Sequence, residues 1–220
     1  MRPLDTRHSV LDPTVFVIDD DPSVLKGLAR LLRSLGYNTE TFASAEAFLA
    51  REHYEGAGCI VLDVMMPGRS GMDLQKDLSR AELGMPIVFI TGHGNIPMSV
   101  HAMKRGAVDF LTKPFDDETL LEAVRKAIEK DQRAKAERAR VQDIQRRIDT
   151  LTPREHEIFR HVITGMLNKQ IAQKLEIAEK TVKVHRGRIM EKLWVDSVAA
   201  LVRLAETAGI EPAKGRSDEE

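Results

Sequence analysis

The apolar positions of this chain change their period along its length. Thr14–Ile18 (TVFVI) is a short continuous apolar run, and Val24, Leu25, Leu28, Leu31, Leu32 and Leu35 then recur at helical spacing up to Gly36. That reads as a strand, then a helix with a glycine at its C-terminal end. The alternation continues. Residues 37–42 form a second strand, 44–52 a helix, and 60–62 a third strand ending at Asp63. The turn-rich MPGRSG leads into a helix over 72–80. Residues 87–90 (IVFI) form a fourth strand ending at Thr91, 97–105 a helix, and 108–111 a fifth strand ending near Lys113. Continuous apolar strands alternating with helices predict an α/β domain, a five-stranded parallel sheet wound on both faces.

Beyond Asp117 the helical pattern runs without Gly or Pro to Pro153. If fully helical, residues 118–149 would span about 48 Å. Leu120, Leu121, Val124, Ala127 and Ile128 can pack on the sheet, whereas 130–140 is charged and alanine-rich. Val141, Ile144, Ile148 and Leu151 then recur at 3-4-3 spacing. Two readings stand open: a solvated connector helix, or a short coiled-coil contact between two copies. Thr152-Pro153-Arg154-Glu155 restarts structure with a capping box. Helices are expected to Thr164, over 168–175 and 180–193, and from a Ser197 cap to Ala208. The expected domains are therefore a flexible N-terminus (1–13), the α/β domain (14–130), a helical linker (131–149), an all-α four-helix domain (150–208) and a disordered tail (209–220).

Composition narrows the classes. Apolar content of 42% is ordinary for a globular protein. The apolar stretches are far too short to span a bilayer, and the first residues have no apolar core of a signal peptide. A cytoplasmic protein with no membrane partner is the default. The single cysteine, Cys59, excludes an internal disulfide and a cysteine zinc site, and it reads as a small buried hydrophobe inside CIVL. The net charge of −1 hides an asymmetry. Residues 14–117 carry 10 Lys+Arg against 14 Asp+Glu, and residues 150–208 carry 10 against 7. An acidic front and a basic back imply two tasks.

Ligands of open α/β sheets bind at the carboxyl ends of the strands. Those ends carry Asp19 and Asp20, Asp63, Thr91 and Lys113. Clustered carboxylates are stable at neutral pH only if some are protonated or a cation lies among them. All-oxygen ligation suits Mg²⁺ or a similar hard cation. A carboxylate can also accept a phosphoryl group. Asp21 precedes Pro22, the natural first residue of a helix, and so reads as its cap.

IDDDP, VLDVMMPG, FITGHG and DFLTKPF resemble the signature segments of bacterial two-component receiver domains, over about residues 14–130. The resemblance implies a flavodoxin-like fold with Asp63 as phosphoacceptor. It implies Mg²⁺ (or Mn²⁺) on Asp19, Asp20, Asp63 and the backbone carbonyl of Met65. Thr91 becomes the switch hydroxyl, Lys113 the phosphate-contacting ammonium with a cis bond to Pro114, and Phe110 the rotamer-switch aromatic.

In the back half, two short helices joined by a tight link, the second basic, fit a helix-turn-helix. LTPREHEIFRHVITGMLNKQIAQKLEIAEKTVKVHRGRIMEKL resembles the DNA-binding domain of the FixJ/NarL class, with its LuxR-type helix-turn-helix. The whole chain is similar to FixJ-type and styrene-degradation regulators. Helix geometry turns Val182, Ile189 and Leu193 inward. It turns Lys183, Val184 and Gly187 towards base edges, with Lys169, Lys180, Thr181, Arg186 and Arg188 on phosphate. His185 either meets the DNA backbone or is structural. Partners implied are a sensor histidine kinase, double-stranded DNA, RNA polymerase, and a second copy on phosphorylation. The expected function is phosphorylation-controlled, sequence-specific DNA binding and transcription, as an activator, without enzymatic turnover. The competing reading is a Mg²⁺-dependent aspartyl-phosphate phosphatase. It is weakened because the acid/base Asp such enzymes carry two residues past the nucleophile is here Met65. A phosphorylation-independent DNA binder is the third.

Overall fold

The computed structural model describes residues 12–52, 54–80 and 84–213. The chain divides into two compact units after Lys135.

In the first unit five strands form one parallel sheet: β1 (Thr14–Ile18), β2 (Asn38–Phe42), β3 (Gly58–Asp63), β4 (Ile87–Thr91) and β5 (Asp109–Thr112). Their order is β2-β1-β3-β4-β5. The helices between them are α1 (Pro22–Ser34), α2 (Ala45–Leu49), α3 (Gly71–Arg80) and α4 (Ile96–Lys104), and α5 (Asp117–Ile148) follows β5. Side chains alternate across a strand, and the chain uses both faces. Val15, Val17, Val61, Val88 and Ile90 pack against Leu28 and Leu32 of α1 and Leu120 and Val124 of α5. Phe16, Ile18, Ile60, Leu62 and Phe89 pack against Phe48, Leu74, Leu78 and Ala102 of α2, α3 and α4. Cys59 is fully buried on the first face, as the apolar run predicted, and that burial pushes its thiol up.

The second unit contains α6 (Pro153–Val162), α7 (Asn168–Lys174), α8 (Glu179–Lys192) and α9 (Val198–Thr207). The Thr152 capping box forms in full. Ile158, Phe159, Ile171, Val182, Ile189, Leu193 and Leu201 make its core.

Three expectations need correction. The 3-4-3 stripe does not wait for a second copy: Ile144 and Ile148 are buried in the core of the helical unit, with Leu151 packed against it. The stretch 131–135, expected in the linker, belongs to the sheet unit. There Asp131 is 3% exposed and its Oδ2 accepts the backbone N–H of Gly58 at 2.8 Å. Residues 209–213 are not a disordered tail. Gly209 takes φ 66°, Gly209 N–H reaches Glu206 O, and Ile210 N–H reaches Ala205 O at 2.9 Å. This is a Schellman end for α9. Ile210 then joins the core, and Arg160 Nε donates to Glu211 O at 3.0 Å. The expected N-terminal segment and the rest of the tail lie outside the described residues, apart from Asp12 and Pro13. No helix among the described residues is long and apolar enough to cross a membrane.

Candidate phosphoacceptor site and DNA-binding helix

Sheet register brings the strand-end residues together. Ile18 pairs with Leu62, so Asp19 and Asp63 are the next rung on neighbouring strands. Asp63 pairs with Ile90, one residue before Thr91, and Thr91 pairs with Thr112, one residue before Lys113. Strands β1 and β3 are where the connection order reverses, the place where open α/β sheets bind ligands.

Lys113 Nζ lies 2.6 Å from Asp19 Oδ2 and 2.8 Å from Asp63 Oδ1. Asp19 and Asp63 are 1% and 5% exposed. Backbone donors fix the other carboxylate oxygens. Asp21 N–H donates to Asp19 Oδ1 at 2.9 Å, and Met65 N–H to Asp63 Oδ2 at 2.6 Å. Burial raises the Asp19 carboxyl above its usual range, and the hydrogen bond from Lys113 does not fully offset it. Burial alone would lower Lys113, but its bonds to Asp19 and Asp63 together carry it upward. The arrangement is a buried anionic pair with one ammonium between its members.

Thr91 is fully buried, and its Oγ1 accepts from His93 N–H at 3.2 Å. The Phe110 ring is half-buried and tilted against Phe89 at 6.1 Å. The Lys113–Pro114 peptide is cis. Asp21 caps α1, accepting from Ser23 N–H at 2.7 Å. Asp20 is exposed and Met65 is 59% exposed. Thus Asp19, Asp63 and Lys113 converge, while Asp20 stands outside the pair. Among the described residues no three His, Cys, Asp or Glu side chains are grouped as a ready metal cage. The donor set still fits a hard cation: two buried carboxylates that share one ammonium, oxygen ligands only, and Asp20 alongside.

Two glycines escaped the sequence reading. A Cβ on Gly71 would fall 2.2 Å from Asp63 O. One on Gly94 would lie 2.8 Å from Thr112 Cγ2 and 3.0 Å from Phe110 Cε1. Both let loops close over the site. The signal was present in MPGRSG and TGHG, but only as turn residues.

In the helical unit Val182, Ile189 and Leu193 are fully buried. Lys180, Thr181, Lys183, Val184, Gly187 and Arg188 are exposed on α8, as is Lys169 on α7. Arg186 is half-buried and donates to Asn168 Oδ1 at 3.0 Å, which joins α8 to α7. His185 is half-buried with a buried Nδ1 that has no partner. Lys192, near the end of α8, meets buried Glu155 at 2.6 Å and Thr150 O at 2.9 Å.

Comparison with known proteins matches both halves. Residues 15–125 fit the response regulator receiver domain, and residues 149–205 fit the bacterial regulatory proteins of the luxR family. The chain is 46% identical to Nodulation protein W of Bradyrhizobium diazoefficiens, over 89% of this chain and 86% of that one. It is 44% identical to the response regulator protein TodT of Pseudomonas putida, over 94% and 89%. Among solved structures it is similar to the response regulator StyR, with TM-score 0.81, 49% identity, and coverage of 89% of this chain and 98% of that one. Full-length FixJ from B. japonicum gives TM-score 0.53 at 40% identity, over 90% and 97%.

Proposed function

The chain belongs to the response regulators that join a receiver domain to a LuxR-family DNA-binding domain, and on that premise we propose that phosphorylation of Asp63 switches its DNA binding. A histidine kinase supplies the phosphoryl group. An Asp63 carboxylate oxygen forms the new bond to phosphorus as the bond from phosphorus to the kinase imidazole breaks. Asp19, Asp20, Asp63 and the Met65 carbonyl would hold Mg²⁺ or Mn²⁺. When bound, that ion supplies positive charge to the transferring oxygens. Lys113 contributes a second, permanent cation. On transfer its ammonium exchanges Asp63 Oδ1 for a phosphoryl oxygen while Asp19 keeps it oriented. Thr91, whose Oγ1 accepts from His93 N–H, donates its hydroxyl proton to a phosphoryl oxygen, and the half-buried Phe110 ring follows the space that Thr91 vacates.

The output is carried by α8. Lys183, Val184 and Gly187 read base edges, and Lys169, Lys180, Thr181, Arg186 and Arg188 hold phosphates. His185 serves the helix itself, since its Nδ1 faces inward. The phosphorylated protein pairs two such helices as a homodimer, acts in the cytoplasm as an activator, and recruits RNA polymerase. It is a regulator rather than a turnover enzyme, because Met65 offers no acid/base where a phosphatase of this chemistry carries an Asp. The domain limits we adopt are a receiver to Lys135 and a DNA-binding unit from Ala136 to 213, since Ile144 and Ile148 belong to its core.

One observation carries the reading: Lys113 Nζ bridges Asp19 and Asp63, both nearly buried. Radiolabelled acetyl phosphate with Mg²⁺ should label wild type and not Asp63→Asn. Equal labelling of the variant removes Asp63 as acceptor. Genome-wide mapping of bound DNA with both proteins then tests whether binding depends on that phosphoryl group.

A further inference from the structure

A cavity of about 180 Å³ opens at the amino end of β4, on the edge of the sheet away from Asp63. Ile87 begins that strand and Thr91 ends it, so about 13 Å of strand separates the cavity from the phosphoacceptor cleft. Gln75 and Leu78 of α3, Met85, Ile87, Arg105 and Lys130 of α5 line it, and no acidic side chain is among its described lining residues.

Gln75 is 2% exposed. Its Nε2 donates to Ala102 O at 3.2 Å and Arg105 O at 3.4 Å, at the C-terminal end of α4. Those two acceptors set the amide's orientation, nitrogen towards α4 and Oε1 away from it. Oε1 is buried and has no partner among the described residues. Fastening α3 to α4 uses only the Nε2 end of this side chain. The Oε1 end calls for a donor, because a buried acceptor without one is costly.

The cations at the cavity are not neutralised. Arg105 and Lys130 are exposed, and Lys130 Nζ lies 3.3 Å from Gly106 O. Acids on the two helices are committed elsewhere: Asp77 to Arg69 at 3.3 Å, Glu129 to Arg133 at 3.5 Å and Asp131 to Lys135 at 3.1 Å. The dipole of α4 opposes an anion at its C-terminal end. Its last carbonyls, however, already accept from Gln75 Nε2 and Lys130 Nζ. Leu78 and Ile87, both nearly buried, supply an apolar wall.

We propose that this cavity binds a short hydroxycarboxylate. Its carboxylate lies between Arg105 and Lys130, its hydroxyl donates to Gln75 Oε1, and its carbon chain meets Leu78, Met85 and Ile87. The volume equals that of about six waters, which limits the ligand to a few carbons. An ammonium donor would face two cations, and inorganic phosphate would wet the apolar wall. The site gives the receiver a small-molecule input separate from Asp63.

The test titrates the full chain, isotopically labelled, with lactate and with propionate at constant ionic strength, read by amide and side-chain NMR shifts. Lactate should shift the Gln75 side-chain amide and the Arg105 and Gly106 backbone amides to saturation. Propionate lacks the hydroxyl and should bind about tenfold more weakly. Arg105→Gln and Lys130→Gln should each weaken lactate about threefold or more. Gln75→Met, which conserves volume, should erase the preference for lactate over propionate. Both cations are exposed, so their variants keep the fold even where Gln75→Met does not, as circular dichroism checks. Equal affinity of wild type for lactate and propionate means an adventitious ion only and overturns the proposal. So does the absence of saturation with lactate, unchanged lactate affinity in both charge variants, or shifts centred on Asp19, Asp63 and Lys113 instead. Inorganic phosphate that displaces lactate at a lower concentration overturns the assigned ligand.

Discussion

Glu155 illustrates how one carboxylate acquires its role from what faces it. It accepts Thr152 N–H as half of a capping box, and Lys192 Nζ approaches it at 2.6 Å. The Lys192 hydrogen bond is the main cause that holds its pKa down to about 2, from an ordinary 4.5. The unfolded chain therefore takes up a proton near pH 4.5 that the folded chain refuses until about pH 2. The stabilisation is fully present above pH 4.5 and is lost as pH falls from there towards 2. Glu155→Gln keeps the cap acceptor but not the charge. The variant should lose less melting temperature than wild type between pH 6 and pH 3, and equal losses would dismiss the pairing. Asp19 has the opposite sign. Burial lifts its folded pKa above 3.8, so ionising it opposes folding as pH rises through the window just above that value. Mg²⁺ should raise the melting temperature at pH 7 and do so much less at pH 4. The capping half of Glu155 could be read from TPRE, three residues apart. Its charge partner could not, because Lys192 lies 37 positions on and reads as one more cation on a basic helix.

Helix ends record where local chemistry and tertiary demand disagree. Thr152, Ser44, Asn95 and Ser197 each cap a helix through a side-chain oxygen. At α7 the same position holds Leu167, 68% exposed and with no side-chain acceptor, so only Gln170 reaches back to close the turn, at 2.8 Å. Leu167→Ser should stabilise the helical unit by about 0.5–1 kcal/mol, measured by urea unfolding. Gly187 is the complementary case. It lies inside α8, and a Cβ there would meet nothing within 4 Å. Gly187→Ala should therefore add about 0.5–1 kcal/mol of stability, while any change in DNA affinity reports whether the glycine faces a base. Elements with strong periodicity, such as β1, α1 and β4, were legible to within a residue or two because burial and propensity agree there. The Schellman end at Gly209-Ile210 was legible in principle, since glycine followed by an apolar residue is its signature. The charged residues beyond it hid the signal.

The chain as a whole is divided at a place that its composition conceals. From 130 to 140 the sequence is charged and alanine-rich, which describes a solvated connector. The structure instead buries Asp131 against the start of β3, 73 residues away, where it accepts Gly58 N–H. Lys135 pairs with Asp131 at 3.1 Å, donates to Gly56 O, and lies 5.7 Å over the Tyr54 ring. A single buried acid in a polar run carries no periodic signal, so pattern reading has nothing to detect. The two descriptions differ in outcome. If residue 131 were a solvated linker position, Asp131→Ala in the full chain would shift stability by no more than about 0.5 kcal/mol. Removing the acceptor of a buried backbone N–H should instead cost the receiver about 1–3 kcal/mol. Asp131→Asn retains an acceptor oxygen and should recover most of that loss, although Lys135 then loses its ion pair. Denaturant unfolding followed by hydrogen exchange at the Gly58 amide separates the cases. An unchanged exchange rate in Asp131→Ala would return residues 131–135 to the linker. Faster exchange with a lower unfolding midpoint would place the receiver's edge at Lys135.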